Sequence, residues 1–371
     1  MTANEPTFWY AFQRLNIGTR RKNEILQKMS TEEISINQLF ELDKTVLSKK
    51  LELSQKELET LSQVQGNLTN ISFLTEDILD QGFEIISILN EDYPQKYKDK
   101  LKQNSPPVLF VKGNLQILKQ GSISVVGSRN ANNTSLKFTQ NITKTAAHSN
   151  RTVISGGAKG VDSFAAHSAI GNGGTTIIIL AEGITKFKNY REYYKPLTEG
   201  RLLIISSFDP DDRWRIFRAQ QRNPLIYALG DKVFIAESGE KGGTMNGALQ
   251  ALKEHWEVYI RYPDSQEVNA NMELIHKGCI PVDMRGKPIE LNLPKSELEI
   301  EKEVIARLEK ILKGKKLTVN ELIKVLEIDW KGTKLSGLIK RLDNIIPVGG
   351  RPAKYTFKDS RLEDYTQGEL F

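Results

Sequence analysis

The chain has 371 residues, of which 39% are hydrophobic and 26% charged, and its formal net charge is +6. This length accommodates two or three domains, and the composition is typical of a globular protein. An apolar run of 18 residues and an N-terminal signal pattern are both missing, which predicts a cytoplasmic protein without membrane contact. The single cysteine, Cys279, excludes an intramolecular disulfide. The surplus of positive charge favours a polyanionic partner.

Residues 1–80 are predicted to form a helical domain, because apolar residues recur at helical spacing on both sides of a turn at Asn16–Thr19. The stretch Leu15–Gly18 between two short helices resembles a helix-hairpin-helix, whose glycine turn can donate backbone N–H groups to a nucleic-acid phosphate. Helix pairs with a glycine turn are also common without any such role, so a purely structural helix pair stays open.

Residues 81–290 alternate between short apolar runs and helical stretches, which predicts a doubly wound, mostly parallel sheet. The runs are rich in β-branched residues and fit strands that are buried on both faces. After a first strand within Phe83–Leu89, the predicted strands cover residues 108–111, 123–126, 152–155, 175–180, 202–206, 232–236, 256–260 and 280–282. In such a sheet, ligands bind beyond the carboxyl ends of the strands.

Three loops of small residues fall at this predicted edge, and each carries a cation. We expect strand, loop and helix start to aim unpaired backbone N–H groups at one spot, which suits a phosphate. A glycine turn can also serve only to turn the chain, but consecutive loops with a cation in each favour an anionic ligand. The candidate residues are Gly127, Ser128, Arg129 and Asn130 in the first loop, Ser155, Gly156, Gly157, Lys159 and Gly160 in the second, and Lys241, Gly243 and Thr244 in the third.

Arginines alternate with aromatic residues in the stretch 211–231, DDRWRIFRAQQRNPLIYALGD, with Trp214 and Phe217 among four arginines. This pattern suits single-stranded nucleic acid, because bases can stack while the backbone is neutralised. It equally fits an amphipathic helix with an exposed arginine face and its aromatic side chains in the core. In either case Phe217 is expected to be buried.

Catalytic residues are hard to place. The four histidines, His148, His167, His255 and His276, lack paired metal-ligand spacing, and Cys279 beside a strand is expected to be a buried structural thiol. Asp162 at a predicted helix start is either a capping residue or a ribose-binding or catalytic carboxylate. We therefore expect a binding protein that needs no cofactor.

Residues 298–358 are predicted to form a winged-helix domain, followed by a tail at 359–371. Three helices are expected, the second opened by a capping box at Thr318–Glu321 and the third covering Gly332–Leu342. A β-hairpin with a Gly-Gly turn follows. Such a domain can enter a groove of duplex DNA or dock a protein, and the sequence leaves both open.

The motifs VGSR at Val126–Arg129 and SGGAKGVD at Ser155–Asp162 resemble those of the DprA/Smf family of DNA-processing proteins. The Pro106–Pro107 pair before a strand extends the resemblance, which covers about residues 82–285. It implies an extended Rossmann-like core that binds single-stranded DNA, forms a homodimer and hands the strand to a RecA-type recombinase in natural transformation, without catalysis. The motifs carry the DNA-contacting role to Gly127, Ser128, Arg129, Ser155, Gly156, Lys159, Gly160, Arg222, Asn223, Gly243 and Thr244, and Asp162 matches the last position of the second motif.

The chain departs from the family pattern at several positions, among them Pro224 in place of an arginine and His167 one residue late. A divergent member could serve another DNA-linked task, such as defence or regulation through the winged domain. An enzymatic alternative is a nucleotide hydrolase of the lysine-decarboxylase-like group, whose P-G-G-x-G-T-x-x-E loop is partly matched by Lys241–Thr244. The glutamate of that loop is replaced here by Gly247.

Overall fold

The computed structural model describes residues 5–188, 191–291, 297–342, 344–349 and 352–358, without the side chains of 297–299. The chain divides into two compact units, Met1–Leu291 and Asn292–Phe371. The predicted tail, 359–371, and residues 292–296 of the predicted linker lie outside the described residues. Among the described helices, none is both long enough and apolar enough to cross a membrane.

Six helices open the first unit. They are α1 Glu5–Arg14, α2 Thr19–Thr31, α3 Gln38–Glu41, α4 Lys44–Leu51, α5 Gln55–Gln65 and α6 Leu68–Asp80. Their apolar faces share one hydrophobic core with the sheet that follows, since Phe12 and Ile25 belong to the same buried cluster as Phe110 and Ile204. The rings of Tyr10 and Phe110 pack edge to face, with their centroids 5.4 Å apart. Because this core continues from the helices into the sheet, the predicted domain boundary at residue 80 stays a prediction.

A nine-stranded sheet follows, with the strand order β1-β2-β6-β5-β4-β3-β7-β8-β9. The pairings β1–β2 and β2–β6 are antiparallel and the remaining ones are parallel, which confirms the predicted mostly parallel α/β sheet. The strands are β1 Glu84–Ser87, β2 Val108–Gly113, β3 Ser122–Val126, β4 Thr152–Ser155, β5 Thr176–Ile179, β6 Leu202–Ser206, β7 Lys232–Ile235, β8 Val258–Arg261 and β9 Ile280–Val282.

Helices alternate with the strands along the chain and cover both faces of the sheet. They are α7 Gln95–Leu101, α8 Asn133–His148, α9 Val161–Gly171, α10 Tyr194–Thr198, α11 Ile216–Leu229, α12 Gly243–Lys253 and α13 Asn271–His276. The chain builds outward from β3 through β4, β5 and β6, then returns to place β7 on the other side of β3. The strand order thus reverses between β3 and β7, and a crevice opens where the loops beyond them diverge.

The second unit contains three helices, α14 Glu297–Leu312, α15 Val319–Leu326 and α16 Gly332–Ile339, around a core of leucines. Its small antiparallel sheet comprises β10 Leu317–Thr318, β11 Ile345–Val348 and β12 Lys354–Phe357. The capping box is confirmed: Thr318 accepts a hydrogen bond from the Glu321 N–H at 3.3 Å, and the Glu321 carboxylate accepts one from the Thr318 N–H at 2.7 Å. The predicted hairpin is present, although Gly350 of its turn lies outside the described residues.

Candidate functional site

A cleft of about 420 Å³ lies at the carboxyl ends of β3 and β7, where the strand order reverses. Eight of the candidate residues line it: Gly127, Ser128, Arg129, Arg222, Asn223, Lys241, Gly243 and Thr244. Six others are not among its lining residues: Asn130, Ser155, Gly156, Gly157, Lys159 and Gly160. The cleft therefore combines the first and third loops with helix α11, while the second loop contributes Ala158 to the lining and otherwise packs behind the first loop.

The second loop packs directly on the first. Gly160 has a φ of +88°, and a Cβ there would lie 2.3 Å from the Ser128 carbonyl oxygen. The hydroxyl of Ser155 is buried and donates to the Val125 carbonyl at 2.8 Å, so it points into the sheet. Lys159 and Asn130 are exposed beside the cleft. The glycines of the second loop thus allow two loop backbones to approach each other closely.

The backbone cradle expected in the first loop is not formed. The Ser128 N–H donates to the Glu237 carbonyl at 2.9 Å, and the Asn130 N–H donates to the Ser128 hydroxyl at 3.1 Å. The next helix, α8, begins under a cap from the side chain of Asn132. Because these two N–H groups are already satisfied by the protein, neither is available to a ligand in the cleft.

Two buried side chains of opposite charge, Asp162 and Arg222, line the floor of the cleft and interact electrostatically. Asp162 is 7% exposed, and its carboxylate accepts from the Gly156 N–H at 3.2 Å. Burial raises the pKa of Asp162 to about 6, against the opposing effects of Arg222 and of backbone N–H groups. Burial also lowers the pKa of the Arg222 guanidinium, although Asp162 counteracts this shift. The cleft therefore holds a carboxyl group that changes charge close to neutral pH.

The Arg222 side chain is held in place by backbone groups of β5 and of the second loop. Its Nη1 donates to the Ile179 carbonyl at 2.9 Å, whereas its buried Nε has no partner among the described residues. A Cβ at Gly156 would lie 1.5 Å from Nη1, so only glycine leaves room for this guanidinium. The arginine predicted to contact a phosphate is thus mainly a buried positive charge beneath the site, with one N–H group unsatisfied.

The loop between β7 and α12 forms the opposite wall. Lys241 is exposed, and α12 begins at Gly243 without a side-chain cap after Gly242, whose φ is +115°. The Asn223 side-chain amide donates to the Gly243 carbonyl at 3.0 Å, and the Tyr227 hydroxyl donates to the Thr244 carbonyl at 3.3 Å. Asn223 therefore positions this loop. The uncapped start of α12 adds a favourable field for an anion.

The residues around the start of α11 form the rim, and one prediction made for them from the sequence is wrong. Phe217 is 53% exposed rather than buried, and Trp214 and Ile216 are 43% and 69% exposed. The aromatic side chains are therefore not in the core, which contradicts the amphipathic-helix alternative. Trp214, which the single-strand interpretation of this stretch included, lines the cleft, and so does Ile216, which it did not name.

Arg129 lies over the Trp214 ring, with its guanidinium carbon 5.3 Å from the ring centroid. Among the described residues, no carboxylate lies within ion-pair distance of Arg129 or of Lys241. Both cations are exposed at the cleft. Their charge is thus available to an anionic ligand. Arg129 also acts at longer range on Asp162, where its positive charge opposes the rise in the pKa of that carboxyl group.

Cys279 and His167, two residues of types that can take part in catalysis, are not among the residues that line the cleft. Over the described ranges, no cluster of three or more His, Cys, Asp or Glu side chains could hold a metal ion. Cys279 is buried, and burial raises the pKa of its thiol to about 12, as expected for a structural cysteine. His167 is exposed on α9 and lies 2.6 Å from a Glu192 carboxylate oxygen.

The family model described as DNA recombination-mediator protein A matches residues 84–289, which are more than half of the chain. The chain belongs to this family. The resemblance seen in its loop motifs is thereby confirmed, and the matched residues contain every element that forms the cleft.

Among curated proteins, the chain is similar to DNA processing protein DprA of Streptococcus pneumoniae, with 30% identity over 182 residues that cover 48% of this chain and 63% of that protein. DprA of Bacillus subtilis is 28% identical over 184 residues, which cover 48% and 61% of the two chains. The match thus spans about three fifths of these relatives. The X-ray structure of DprA from Streptococcus pneumoniae superimposes with a TM-score of 0.63 and 22% identity over 74% of this chain and 93% of that one. This likeness shows a shared fold.

Proposed function

We propose that this member of the DNA recombination-mediator protein A family is a non-enzymatic protein that binds single-stranded DNA in the cleft between β3 and β7. The observation that carries the proposal is a pair of exposed cations, Arg129 and Lys241, facing each other across the cleft without carboxylate partners. Each can contact a separate phosphate of one strand, and the uncapped start of α12 between them favours negative charge.

The family relationship extends the proposal to its partners. Relatives are named DNA processing proteins, and we propose that this chain also hands its bound strand to a RecA-type recombinase and acts as a homodimer. For the second unit, three helices with a small antiparallel sheet support the predicted winged-helix domain. We assign it an accessory role, because the cations and the helix start of the cleft all belong to the first unit.

The nucleotide-hydrolase alternative is disfavoured by the packing at residue 247. The glutamate of that group would replace Gly247, and a Cβ at this position would lie 2.8 Å from the Tyr227 ring. Tyr227 is buried and holds the Thr244 carbonyl, so it has little freedom to move away. The site therefore lacks both the carboxylate and the space for it.

The decisive experiment is a binding titration that compares a single-stranded oligonucleotide, the corresponding duplex and free nucleotides at fixed salt. We expect the single strand to bind most tightly. Arg129→Ala should weaken its binding by roughly 1.5–3 kcal/mol, the range for a hydrogen bond to a charged group. The dependence of log affinity on log salt should decrease by about 0.7, the contribution of one phosphate contact on a single strand.

Arg151→Ala is the matched control, because it removes the same charge at the amino-terminal ends of the strands, next to the start of β4 and away from the cleft. Its affinity and salt dependence should stay close to those of the wild type. Arg129→Lys should recover only part of the affinity, since an ammonium group cannot make the forked contact of a guanidinium. Wild-type affinity with an unchanged salt slope in Arg129→Ala would refute the proposed phosphate grip.

A further inference from the structure

The segment 211–217, which runs from the loop after β6 into the first two residues of α11, exposes three large apolar side chains within four residues, Trp214, Ile216 and Phe217. Each would be stabilised by burial, so their joint exposure marks a surface that contacts something else. Two of them, Trp214 and Ile216, line the cleft. The apolar face and the phosphate-binding cations thus belong to one continuous surface.

The base of this segment is held by several contacts. Arg218 pairs with Asp212 and donates to the Arg213 carbonyl at 2.5 Å, while its guanidinium lies 5.2 Å from the Phe217 ring. The Asp212 carbonyl accepts from the Gly183 N–H at 2.7 Å. The exposed side chains therefore belong to an anchored segment, and ligand binding costs little conformational entropy for ordering it.

Further anchoring comes from helix α1. Arg14 donates to the Asp209 carboxylate at 2.8 Å, and the Gln13 side chain donates to the Ser207 carbonyl at 2.9 Å. Both acceptors lie in the chain between β6 and the exposed segment. The segment that carries Trp214 is thus held both by the Arg218–Asp212 pair and by contacts from α1.

We propose that Trp214 is the residue by which the cleft recognises an unstacked nucleobase, and so distinguishes a single strand from a duplex. This rests on the proposed single-strand binding. Arg129 lies against Trp214 at 5.3 Å, so a phosphate held by Arg129 places its own nucleotide beside the indole. In a duplex the faces of the bases are already stacked on one another, and a base cannot reach the ring without being unpaired.

The test measures binding of two oligonucleotides of equal length and charge by fluorescence anisotropy. One is oligothymidylate, and the other carries abasic sites in place of the bases. For the wild type we expect oligothymidylate to bind at least five-fold more tightly. Trp214→Ala should weaken oligothymidylate binding by roughly 5- to 100-fold, the range for loss of one base–aromatic stack, and change abasic binding less than two-fold.

Two further variants complete the set. Trp214→Phe should recover part of the preference for bases, because a smaller ring still stacks. Tyr194→Ala is the matched control, since Tyr194 is 68% exposed and is not among the residues that line the cleft. It should leave both affinities unchanged.

The outcomes separate the two proposals. If the wild type binds both oligonucleotides equally, or Trp214→Ala weakens both alike, the stacking role is refuted while single-strand binding stands. If Trp214→Ala has no effect on either, the stacking role is also refuted. If the wild type binds neither, both proposals fail together.

Discussion

Protonation of Asp162 should control the affinity of the cleft for phosphates. With a pKa of about 6, the carboxyl group is about 3% protonated at pH 7.5 and about 90% protonated at pH 5. Its negative charge lines the same cleft as Arg129 and Lys241 and opposes an anionic ligand. Lowering the pH therefore removes a repulsive charge, and the affinity should rise.

The size of the effect follows from the size of the cleft. A sphere with its volume, about 420 Å³, is about 9 Å across, and at an effective permittivity of about 20–30 two unit charges at that distance repel by roughly 1–2 kcal/mol. We therefore expect oligothymidylate to bind roughly 5- to 30-fold more tightly at pH 5 than at pH 7.5. Thymine and the phosphodiester do not titrate in this window, so anisotropy at constant ionic strength reports the protein.

The variant that isolates this group is Asp162→Asn, which keeps the shape and the acceptor for the Gly156 N–H. It should bind at pH 7.5 as tightly as the wild type does at pH 5, with little dependence on pH. His167→Gln is the control for the exposed histidine on the same helix and should keep the wild-type pH profile. If Asp162→Asn keeps the wild-type pH profile, or loses affinity at pH 7.5, the reasoning is refuted.

The raised pKa of Asp162 also makes the folding stability depend on pH, because the folded state holds the Asp162 proton more tightly than the unfolded chain. The unfolding free energy attributable to this group should therefore rise as the pH falls from about 6 to about 4, where the unfolded carboxyl also becomes protonated. At neutral pH the ionised carboxyl makes an unfavourable contribution. A comparison of Asp162→Asn with the wild type by denaturant titration at pH 5 and pH 7.5 measures the difference.

Three other predictions concern the loops, the second unit and catalysis. Gly160→Ala should destabilise the protein by about 2–4 kcal/mol, because of its positive φ and the close Ser128 carbonyl, whereas Gly171→Ala in open space near the end of α9 should be nearly neutral in the same denaturant titration. Deletion from residue 298 onward should leave single-strand affinity within ten-fold, and a larger loss in a folded truncation would place the binding site in the second unit. The purified protein should release no free base from a panel of nucleotides, and steady release that Asp162→Asn abolishes would establish an enzyme.

The sheet could be predicted from sequence because its central strands are buried on both faces. Runs such as Ile123–Val126 and Leu202–Ser206 consist of apolar residues apart from one small serine each, and they lack the polar alternation of an exposed strand or an amphipathic helix. Their alternation with helices then fixes the edge at which the loops gather. Eight of the fourteen candidate residues line the cleft for that reason.

The internal contacts of the loops could not be predicted in the same way. Ser155 points into the sheet because it is the last residue of β4, and this direction depends on a strand end that sequence locates only within a residue or two. The burial of Arg222 depends on a carbonyl on β5 and a glycine after β4, both far away in sequence. Long-range polar partners of this kind have no periodic signature.

The kind of ligand that this cleft selects depends in part on the backbone N–H groups of the first loop, two of which are bonded within the protein. A nucleoside polyphosphate site concentrates many backbone N–H groups on one cluster of negative charge. Here the N–H groups of Ser128 and Asn130 are used within the protein, and the exposed positive charge is divided between Arg129 in the first loop and Lys241 beside the uncapped start of α12, with Arg222 buried beneath them. Separated single cations match a polymer that presents one charge per phosphate at intervals along its length, and they gain little from several charges on one small molecule. The arrangement of the loops therefore favours a strand over a free nucleotide, independently of any contact with the bases.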